Sequence, residues 1–362
     1  LCPGFAFDSP VHPSQSHQSV KHASAVAKNK DYLIGSLGFN EEKLHSAEEY
    51  TNILTLGKGV LEERAIWLQR RLSLTDNETA KITQNQPHIL GRRSFTNLSP
   101  KIDYFQSRLL LDKNSLRKLL LRAPHILACS VEENIEPTLD WLQLRLGLTS
   151  ISLSKMICRH PYTLGCSVTE NLEPTLDWLQ QRLDLGDEEI SRLVQRSPNT
   201  LHLNIESNLE PKFDWLQQQL DLDTASLSKM VQRAPTILHL SIDNIEPKLE
   251  WLQGLSLTDR GILNIIQKFP SILSCNLDTN LEPTLYFYIG ALGGNEREAL
   301  ALVTHNPNLF AYSLEKRLKP RLQEALNAGI VIDTSCLRRI GQYTDNQWQA
   351  ELQRFEIPKT RD

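Results

Sequence analysis

Pairs of basic residues four positions apart recur along the chain, and each pair precedes a proline by six and two positions. In the five successive copies that precede Pro124 to Pro270, nine of the ten positions hold lysine or arginine, and Asn264 is the exception. Cations repeated at a fixed spacing can neutralise the phosphates of a nucleic-acid backbone, which supplies affinity through counterion release but little sequence information. The candidate binding residues are Lys118, Arg122, Lys155, Arg159, Arg192, Arg196, Lys229, Arg233 and Lys268.

The prolines that follow these pairs divide the chain into repeats. They recur at intervals of 37 residues, with one interval of 35, and a second proline lies 13 residues after the first in all copies but one. A period of this size indicates a solenoid, in which each unit buries its apolar face against its neighbours. Each repeat is named after its leading proline. These prolines are Pro87, Pro124, Pro161, Pro198, Pro235, Pro270 and Pro307.

Within a repeat the pattern predicts two helices and a tight turn. In the Pro124 repeat, Ser130 begins a capping box and apolar residues then recur at helical spacing, which predicts a first helix over about 131–146. Pro137 should kink this helix or delay its regular start, because it lacks an N–H for the helical ladder. A second helix over about 151–160 ends at the next proline. No strand pattern occurs, so the expected fold is all-α: a curved superhelical solenoid of about seven to eight repeats.

The repeat pattern also sets the expected domain boundaries. Residues 1 to about 30 are acid-poor and serine-rich, as transit peptides are, so residues 1–43 are expected to form a mobile leader. The array is predicted over 44–325 and capping helices over 326–362. The Pro235 repeat lacks one residue before its second proline and another after its tryptophan, and both deletions are expected in connections between helices.

The second helix separates its cations from its apolar residues. On a helical wheel, the apolar residues around Leu153 share one side, and Lys155 and Arg159 fall on the opposite side. Because stacked helices lie roughly 8–10 Å apart, the pairs are expected to form a positive stripe across several repeats. Another interpretation stays open. A cation near a helix C-terminus also complements the helix dipole, and duplication would copy it from repeat to repeat.

The acidic residues occupy other positions of the repeat. A glutamate precedes most second prolines and another carboxylate often follows three residues after the proline, near the start of the first helix, where it favours the helix dipole. The formal net charge of -4 is thus compatible with one basic face, although an acidic surface weakens long-range attraction to nucleic acid. The two acidic sets are Glu136, Glu173, Glu210, Glu246 and Glu282, and Asp103, Asp140, Asp177, Asp214 and Glu250.

Aromatic residues recur at one position of the first helix. Their place among leucines favours packing in the repeat core, and stacking on exposed bases is the alternative. The position holds Trp141, Trp178, Trp215 and Trp251, with Tyr104 and Phe287 in two further copies.

Enzymatic motifs do not accompany these features. The six cysteines form no C-x-x-C pair and no constellation of zinc-site spacing. The sequence has no P-loop, no G-x-S-x-G and no dinucleotide glycine fingerprint, and no run of about 18 apolar residues that could span a membrane. We therefore expect no enzymatic activity, no cofactor, no metal and no membrane association.

One motif combines the features of the repeat. A leading proline and an apolar triplet are followed by S-x-x-x-N-[LI]-x-P-x-[LF]-x-[WYF]-[LF], and the leucine-rich second helix ends in R-x-P. Copies occupy Ser130–Leu142, Ser167–Leu179 and, one residue short, Ser241–Leu252. Over about residues 45–325 the chain thereby resembles the mitochondrial transcription termination factor (mTERF) family. The resemblance implies a curved helical array that binds nucleic acid in mitochondria or chloroplasts, in transcription termination or initiation, RNA splicing and processing, or ribosome assembly.

The sequence thus favours an organellar protein that binds the phosphate backbone of double-stranded DNA or of RNA along the basic stripe. The alternative is a protein-interaction scaffold in organellar expression or ribosome assembly complexes, whose acidic and tryptophan-bearing positions would serve a protein partner. A monomer is expected.

Overall fold

The structure is a computed structural model that describes residues 26–50, 52–56, 58–91 and 95–356. Its elements are helices, and no strand occurs within those ranges. The prediction of an all-α helical-repeat fold is therefore confirmed. The chain forms two compact units, Leu1–Leu172 and Glu173–Asp362.

The first unit begins with helical residues 26–35, the helix Glu41–Tyr50 and a short 3₁₀ turn at Asn52–Thr55. Its first helices cover Lys58–Leu72, Leu98–Arg108 and Glu136–Arg145. Its second helices cover Asp76–Asn85, Lys113–Arg122 and Ser150–Arg159. A 3₁₀ turn follows each leading proline, at Pro87–Leu90, Pro124–Leu127 and Pro161–Gly165.

The second unit repeats the same order and ends in the helix Asp345–Glu356. Its first helices cover Glu173–Arg182, Glu210–Leu220, Ile242–Gly254, Glu282–Ala291 and Lys319–Asn327. Its second helices cover Asp187–Arg196, Thr224–Arg233, Asp259–Lys268, Glu296–His305 and Thr334–Gln342. The 3₁₀ turns cover Pro198–His202, Pro235–His239, Pro270–Ser274 and Pro307–Ala311.

Each leading proline fixes where the preceding second helix ends. In the Pro124 repeat the second helix ends at Arg159, and His160 leaves the helical region, with φ of -134° and ψ of 66°. A residue before proline is driven out of the helical region by contact with the proline ring. The cation two positions before the proline is therefore the last helical residue of its repeat.

The second proline of a repeat is accommodated by a wide π-type turn before the first helix. In the Pro124 repeat, the N–H of Ile135 donates to the carbonyl of Ser130, five residues back, at 3.0 Å. Pro137 then lies in the first turn of the regular helix, where its missing N–H costs little. The predicted delay of the helix is thus present. Such turns cover Val131–Ile135, Val168–Leu172, Ile205–Leu209, Leu277–Leu281 and Leu314–Leu318.

The wide turn also changes the predicted capping box. The hydroxyl of Ser130 accepts from the backbone N–H of Glu133 at 3.2 Å, as expected. The reciprocal bond, however, comes from Asn134, whose Oδ1 accepts from the N–H of Ser130 at 3.2 Å. The extra residue of the wide turn accounts for this shift by one position. It explains the asparagine of the S-x-x-x-N motif.

The shortened Pro235 repeat has no wide turn. Its first helix is a continuous α-helix, Ile242–Gly254, with Pro247 inside it, and the N–H of Ile245 donates to Ser241 only four residues back. The first deletion therefore lies at the start of the helix, and the expectation of a shortened connection was wrong for it. The second deletion shortens the end of the helix and not the connection, because three residues separate Gly254 from the cap residue Thr258, just as three separate Arg145 from Thr149. The expectation was therefore wrong for this deletion as well. The left-handed residue that ends other first helices, such as Asp221, is missing there.

Both ends of the array lie outside the expected boundaries. Within the expected leader, residues 26–35 are helical, and Leu33 and Phe39 are buried, so the packed structure begins before residue 44. Residues 1–25 lie outside the described residues. At the other end, Thr334–Gln342 packs as the second helix of the Pro307 repeat, which moves the end of the array past residue 325.

Candidate nucleic-acid interface

All nine cations that the sequence singles out are exposed, and all lie in the C-terminal halves of second helices. Arg122, Arg159, Arg196, Arg233 and Lys268 are the last residues of their helices. The other four lie one turn earlier. The first unit carries Lys118, Arg122, Lys155 and Arg159, and the second carries Arg192, Arg196, Lys229, Arg233 and Lys268.

Arg122, Arg196 and Arg233 each reach from the end of their own second helix to the end of the next one. In the first unit, Nη1 of Arg122 donates to the carbonyl oxygens of Cys158 at 2.6 Å and Arg159 at 3.2 Å. The last carbonyls of an α-helix have no partner within the helix and carry partial negative charge. Arg122 therefore caps a helix of the neighbouring repeat.

The same contact recurs in the second unit. Nη1 of Arg196 donates to Gln232 O at 2.7 Å and Nη2 to Arg233 O at 3.0 Å. Arg233 in turn donates through Nη1 to Gln267 O at 2.5 Å. The interpretation that these cations complement a helix dipole thus has a physical basis. Each arginine lies at the C-terminal end of its own helix and also donates to carbonyls at the C-terminal end of the next second helix. Sequence spacing could not reveal this, because the acceptors are backbone atoms.

The cations one turn earlier make weaker local contacts. Lys229 lies near Asp223, whose pKa is lowered mainly by hydrogen bonds from Ser226 and to a smaller extent by the lysine charge. Lys118 stands in the same relation to Asp112. These exposed ammonium groups keep most of their donors available to a ligand.

A groove of about 420 Å³ opens in the second unit beside these side chains. Arg192, Arg196 and Arg233 line it, and Glu189 is an acidic residue at its wall. The carboxylate of Glu189 accepts from the N–H of Gly186 at 3.0 Å, which satisfies part of its hydrogen-bonding capacity. Three guanidinium groups around one groove can attract an anionic group such as a phosphate.

Several acidic residues of the first helices are paired. Arg108 bonds Asp140 of the following repeat at 2.7 Å, Arg182 bonds Asp214 at 2.9 Å, and Arg71 pairs with Asp103. The main contact of these aspartates is thus an ion pair with an arginine and not the expected interaction with the helix dipole. Arginines at the ends of first helices neutralise them across the repeat boundary. These arginines were not among the residues predicted from the sequence, although an arginine five residues after the aspartate recurs in the Asp103, Asp140 and Asp177 copies.

Two further cations lie directly after second prolines, of which Lys212 is buried and Lys101 is half-buried. Nζ of Lys101 donates to the carbonyls of Leu127 and Cys129, and Nζ of Lys212 donates to Leu238 O at 2.5 Å. These acceptors belong to the 3₁₀ turn of the next repeat or the residues just after it. The cations therefore join repeats and cannot serve a ligand.

The aromatic position of the first helix is half-buried. The ring of Trp178 lies 5.3 Å from that of Phe213 in the next repeat, and the ring of Trp67 lies 5.0 Å from that of Phe95. These contacts are those of side chains packed between repeats.

Cys129, Cys158 and His125 have structural surroundings. Burial raises the pKa of the Cys129 and Cys158 thiols, which keeps them protonated and unreactive. The ring of His125 stacks on Tyr162 at 4.9 Å, and the hydroxyl of Tyr162 donates to Arg122 O at 3.1 Å. In the described part of the chain, no group of His, Cys, Asp and Glu could hold a metal ion. The helices described there are also too short or too polar to cross a bilayer.

An all-α array that presents exposed cations at the ends of its second helices belongs to the class of helical-repeat proteins with a surface suited to a polyanion. Within that class the chain belongs to the mTERF family, whose family model matches residues 32–349. The resemblance inferred from the repeat motif is thus confirmed. No curated protein matches the chain. The family consists in general of nucleic-acid-binding, non-enzymatic regulators that are typically organellar.

Proposed function

We propose that this protein binds nucleic acid in a mitochondrion or chloroplast and regulates transcription, including its termination, or RNA processing there. The observation that carries the proposal is the set of exposed cations at the C-terminal ends of successive second helices. Both double-stranded DNA and RNA present the phosphates that such a surface attracts. The protein acts as a binder and no catalytic step is assigned to it.

The electrostatics of the repeat support a polyanion on this surface. The C-terminal end of a helix carries about half a negative charge, which would repel phosphate. Arg122 and Arg196 donate hydrogen bonds to the exposed carbonyls at two of these ends and so offset that charge. On the first helices, Asp140 and Asp214 are paired with arginines. A net charge of -4 is therefore compatible with a local positive surface on each unit.

A charge-reversal comparison tests the proposal. Binding of fluorescent duplex DNA and of single-stranded RNA is measured at low salt for the wild type and for the double variant Lys155→Glu with Lys229→Glu. The matched control, Lys113→Glu with Arg260→Glu, makes the same charge change on exposed residues at the opposite ends of second helices. We expect the first pair to weaken binding by about tenfold or more and the control pair to change it far less. Equal losses for the two pairs, or no binding by the wild type, would contradict the proposal.

A protein-interaction scaffold is the second candidate function. The acidic and tryptophan positions no longer favour it, since the structure pairs several of the acids and packs Trp178 against Phe213. The exposure of two large apolar side chains does favour it: Leu144 is 87% exposed and Tyr286 is 68% exposed. A wild-type protein that binds neither DNA nor RNA at low salt would make this the better account.

A further inference from the structure

We propose that the two cation positions of a second helix have different tasks. Where the residue two positions before the next leading proline is an arginine bonded to the following second helix, it is a positioning residue that links neighbouring repeats, and the cation six positions before that proline contacts the phosphate. This inference rests on the proposed nucleic-acid function and deepens it, because it states which side chains hold the ligand. We call the first set the linking arginines, Arg122, Arg196 and Arg233, and the second set the contact cations, Lys118, Lys155, Arg192 and Lys229.

The linking arginines are already engaged with protein. Arg196 uses two nitrogens of its guanidinium group on two carbonyls of the next second helix, at 2.7 and 3.0 Å. In the first unit, Arg122 reaches the two corresponding carbonyls through Nη1 alone, and Arg233 bonds one carbonyl, that of Gln267, through Nη1. A planar guanidinium presents its donors in a fixed fork, so a fork held by carbonyls has little freedom to follow a phosphate. Corresponding acceptor carbonyls in both units indicate a recurring task within the array rather than one accidental contact.

The residue types at the two positions fit this division. Three of the four contact cations are lysines, and the linking positions that bond carbonyls are arginines. Lysine carries a compact charge on a flexible stem with three donors, which suits a phosphate approached from varying directions. Lys155 is exposed and has no hydrogen-bond or ion-pair partner among the described residues. Pairs of neighbouring carbonyls, in contrast, match the arginine fork.

The second helix Asp259–Lys268 provides an internal comparison, because its two positions hold different residues. Asn264 replaces the contact cation, and its Nδ2 donates to Thr304 O of the next second helix at 3.0 Å. Lys268 replaces the linking arginine and is exposed. The two tasks have therefore exchanged positions in this repeat: Asn264 makes the link and Lys268 is the cation left for the ligand. The repeat thus keeps one link and one available charge.

The linking contacts set the spacing between contact cations of neighbouring repeats. A ligand that touches one repeat does not depend on that spacing. A ligand that spans several repeats does, since each further phosphate contact requires the next cation to lie at the right distance. The positioning task therefore predicts an effect that grows with ligand length.

The experiment compares Arg196→Lys, Arg196→Gln and Lys229→Gln in the full chain. Affinity is measured over a salt series for mixed-sequence duplex DNA and single-stranded RNA of about 30 nucleotides per strand, and for an RNA of about 3 nucleotides, which is too short to bridge repeats roughly 8–10 Å apart. Thermal unfolding of each variant is followed by circular dichroism. Arg196→Lys is the decisive variant, because it keeps the positive charge and removes the fork.

For Lys229→Gln we expect an unchanged melting temperature. With the longer probes, the slope of log affinity against log salt should become less steep, by about 0.9 for duplex DNA and about 0.7 for single strands. For Arg196→Lys we expect an unchanged slope, a lower melting temperature and a loss of about threefold to tenfold in affinity for the longer probes alone. A merely destabilised protein would lose affinity for both lengths alike.

Two results would overturn the division of tasks while leaving the proposed function intact. In the first, Arg196→Lys binds the longer probes with the affinity of the wild type, and Arg196→Gln reduces the salt slope as much as Lys229→Gln does. The other is an equal loss of affinity by Arg196→Lys for both probe lengths. Absence of wild-type binding at low salt, in contrast, would overturn the proposed function itself.

Discussion

At the scale of single residues, Lys212 shows how a repeat can be joined to the next one by a buried charge. Its side chain is only 2% exposed, and Nζ donates to Leu238 O at 2.5 Å and to Oδ1 of Asn208 at 2.9 Å. Loss of contact with water disfavours the charged form and lowers the pKa of Lys212 to about 8, from an ordinary value of 10.5. Burial of the charged lysine therefore destabilises the fold. The destabilisation is largest below about pH 8, where the side chain is protonated in both the folded and the unfolded chain.

This depressed pKa predicts a stability that depends on pH. Between pH 8 and 10.5 the unfolded chain binds the proton more tightly than the folded one, so the free energy of unfolding rises with pH across that window. We expect a rise of about 1–3 kcal/mol that is absent in Lys212→Met. Urea unfolding at the two ends of the window measures it for both proteins. An identical pH dependence in both would contradict the assignment to Lys212.

The exposure of a side chain was predictable from the sequence where it follows from the spacing of residues within one helix. The exposure of the nine cations follows from their spacing on an amphipathic helix. The partners of Arg108, Arg122 and Lys212 were not predictable, because each lies in the next repeat and the stacking geometry selects it. The period of the sequence says that repeats stack but gives no register between their side chains.

At the scale of elements, proline decides the shape of the first helix. A proline in a regular helix lacks an N–H, and its ring contacts the carbonyl four residues back. The wide turn ahead of Pro137 avoids both costs by adding one residue. The sequence predicted a delayed helix but not the wide turn, because Ser130 was paired with Glu133 as in an ordinary capping box and not with Asn134 one position later. The missing residue before Pro247 was wrongly expected in a connection because its loss removes this wide turn.

The two kinds of first helix predict opposite effects of removing the proline. Pro247→Ala should restore the bond from residue 247 to Asp243 O within the continuous helix and raise the free energy of unfolding by about 1–2 kcal/mol. Pro137→Ala gains no such bond and should be neutral or destabilising by up to about 1 kcal/mol. Both prolines are exposed, so neither change removes core packing. Urea denaturation of the two variants checks this, and a stabilised Pro137→Ala would refute the explanation.

At the scale of the whole molecule, the separation of charge matters more than its sum. The chain has 43 acidic and 39 basic residues, which on average disfavours a polyanion. The repeat nevertheless places acids such as Asp140 and Asp214 against arginines and leaves the cations of second helices exposed. Composition alone therefore gives little guidance to the ligand. The repeat period and helical spacing were the better predictors.

The salt dependence of wild-type binding tests the central claim most directly. Each contact cation that displaces a counterion contributes about -0.9 to the slope of log affinity against log salt for duplex DNA. We therefore predict a slope between about -2, for the contact cations of the first unit alone, and about -4.5, for those of both units with Lys268. Titrations at salt concentrations from about 50 to 200 mM would measure it. A slope near zero for both DNA and RNA, or no binding at the lowest salt, would contradict the account.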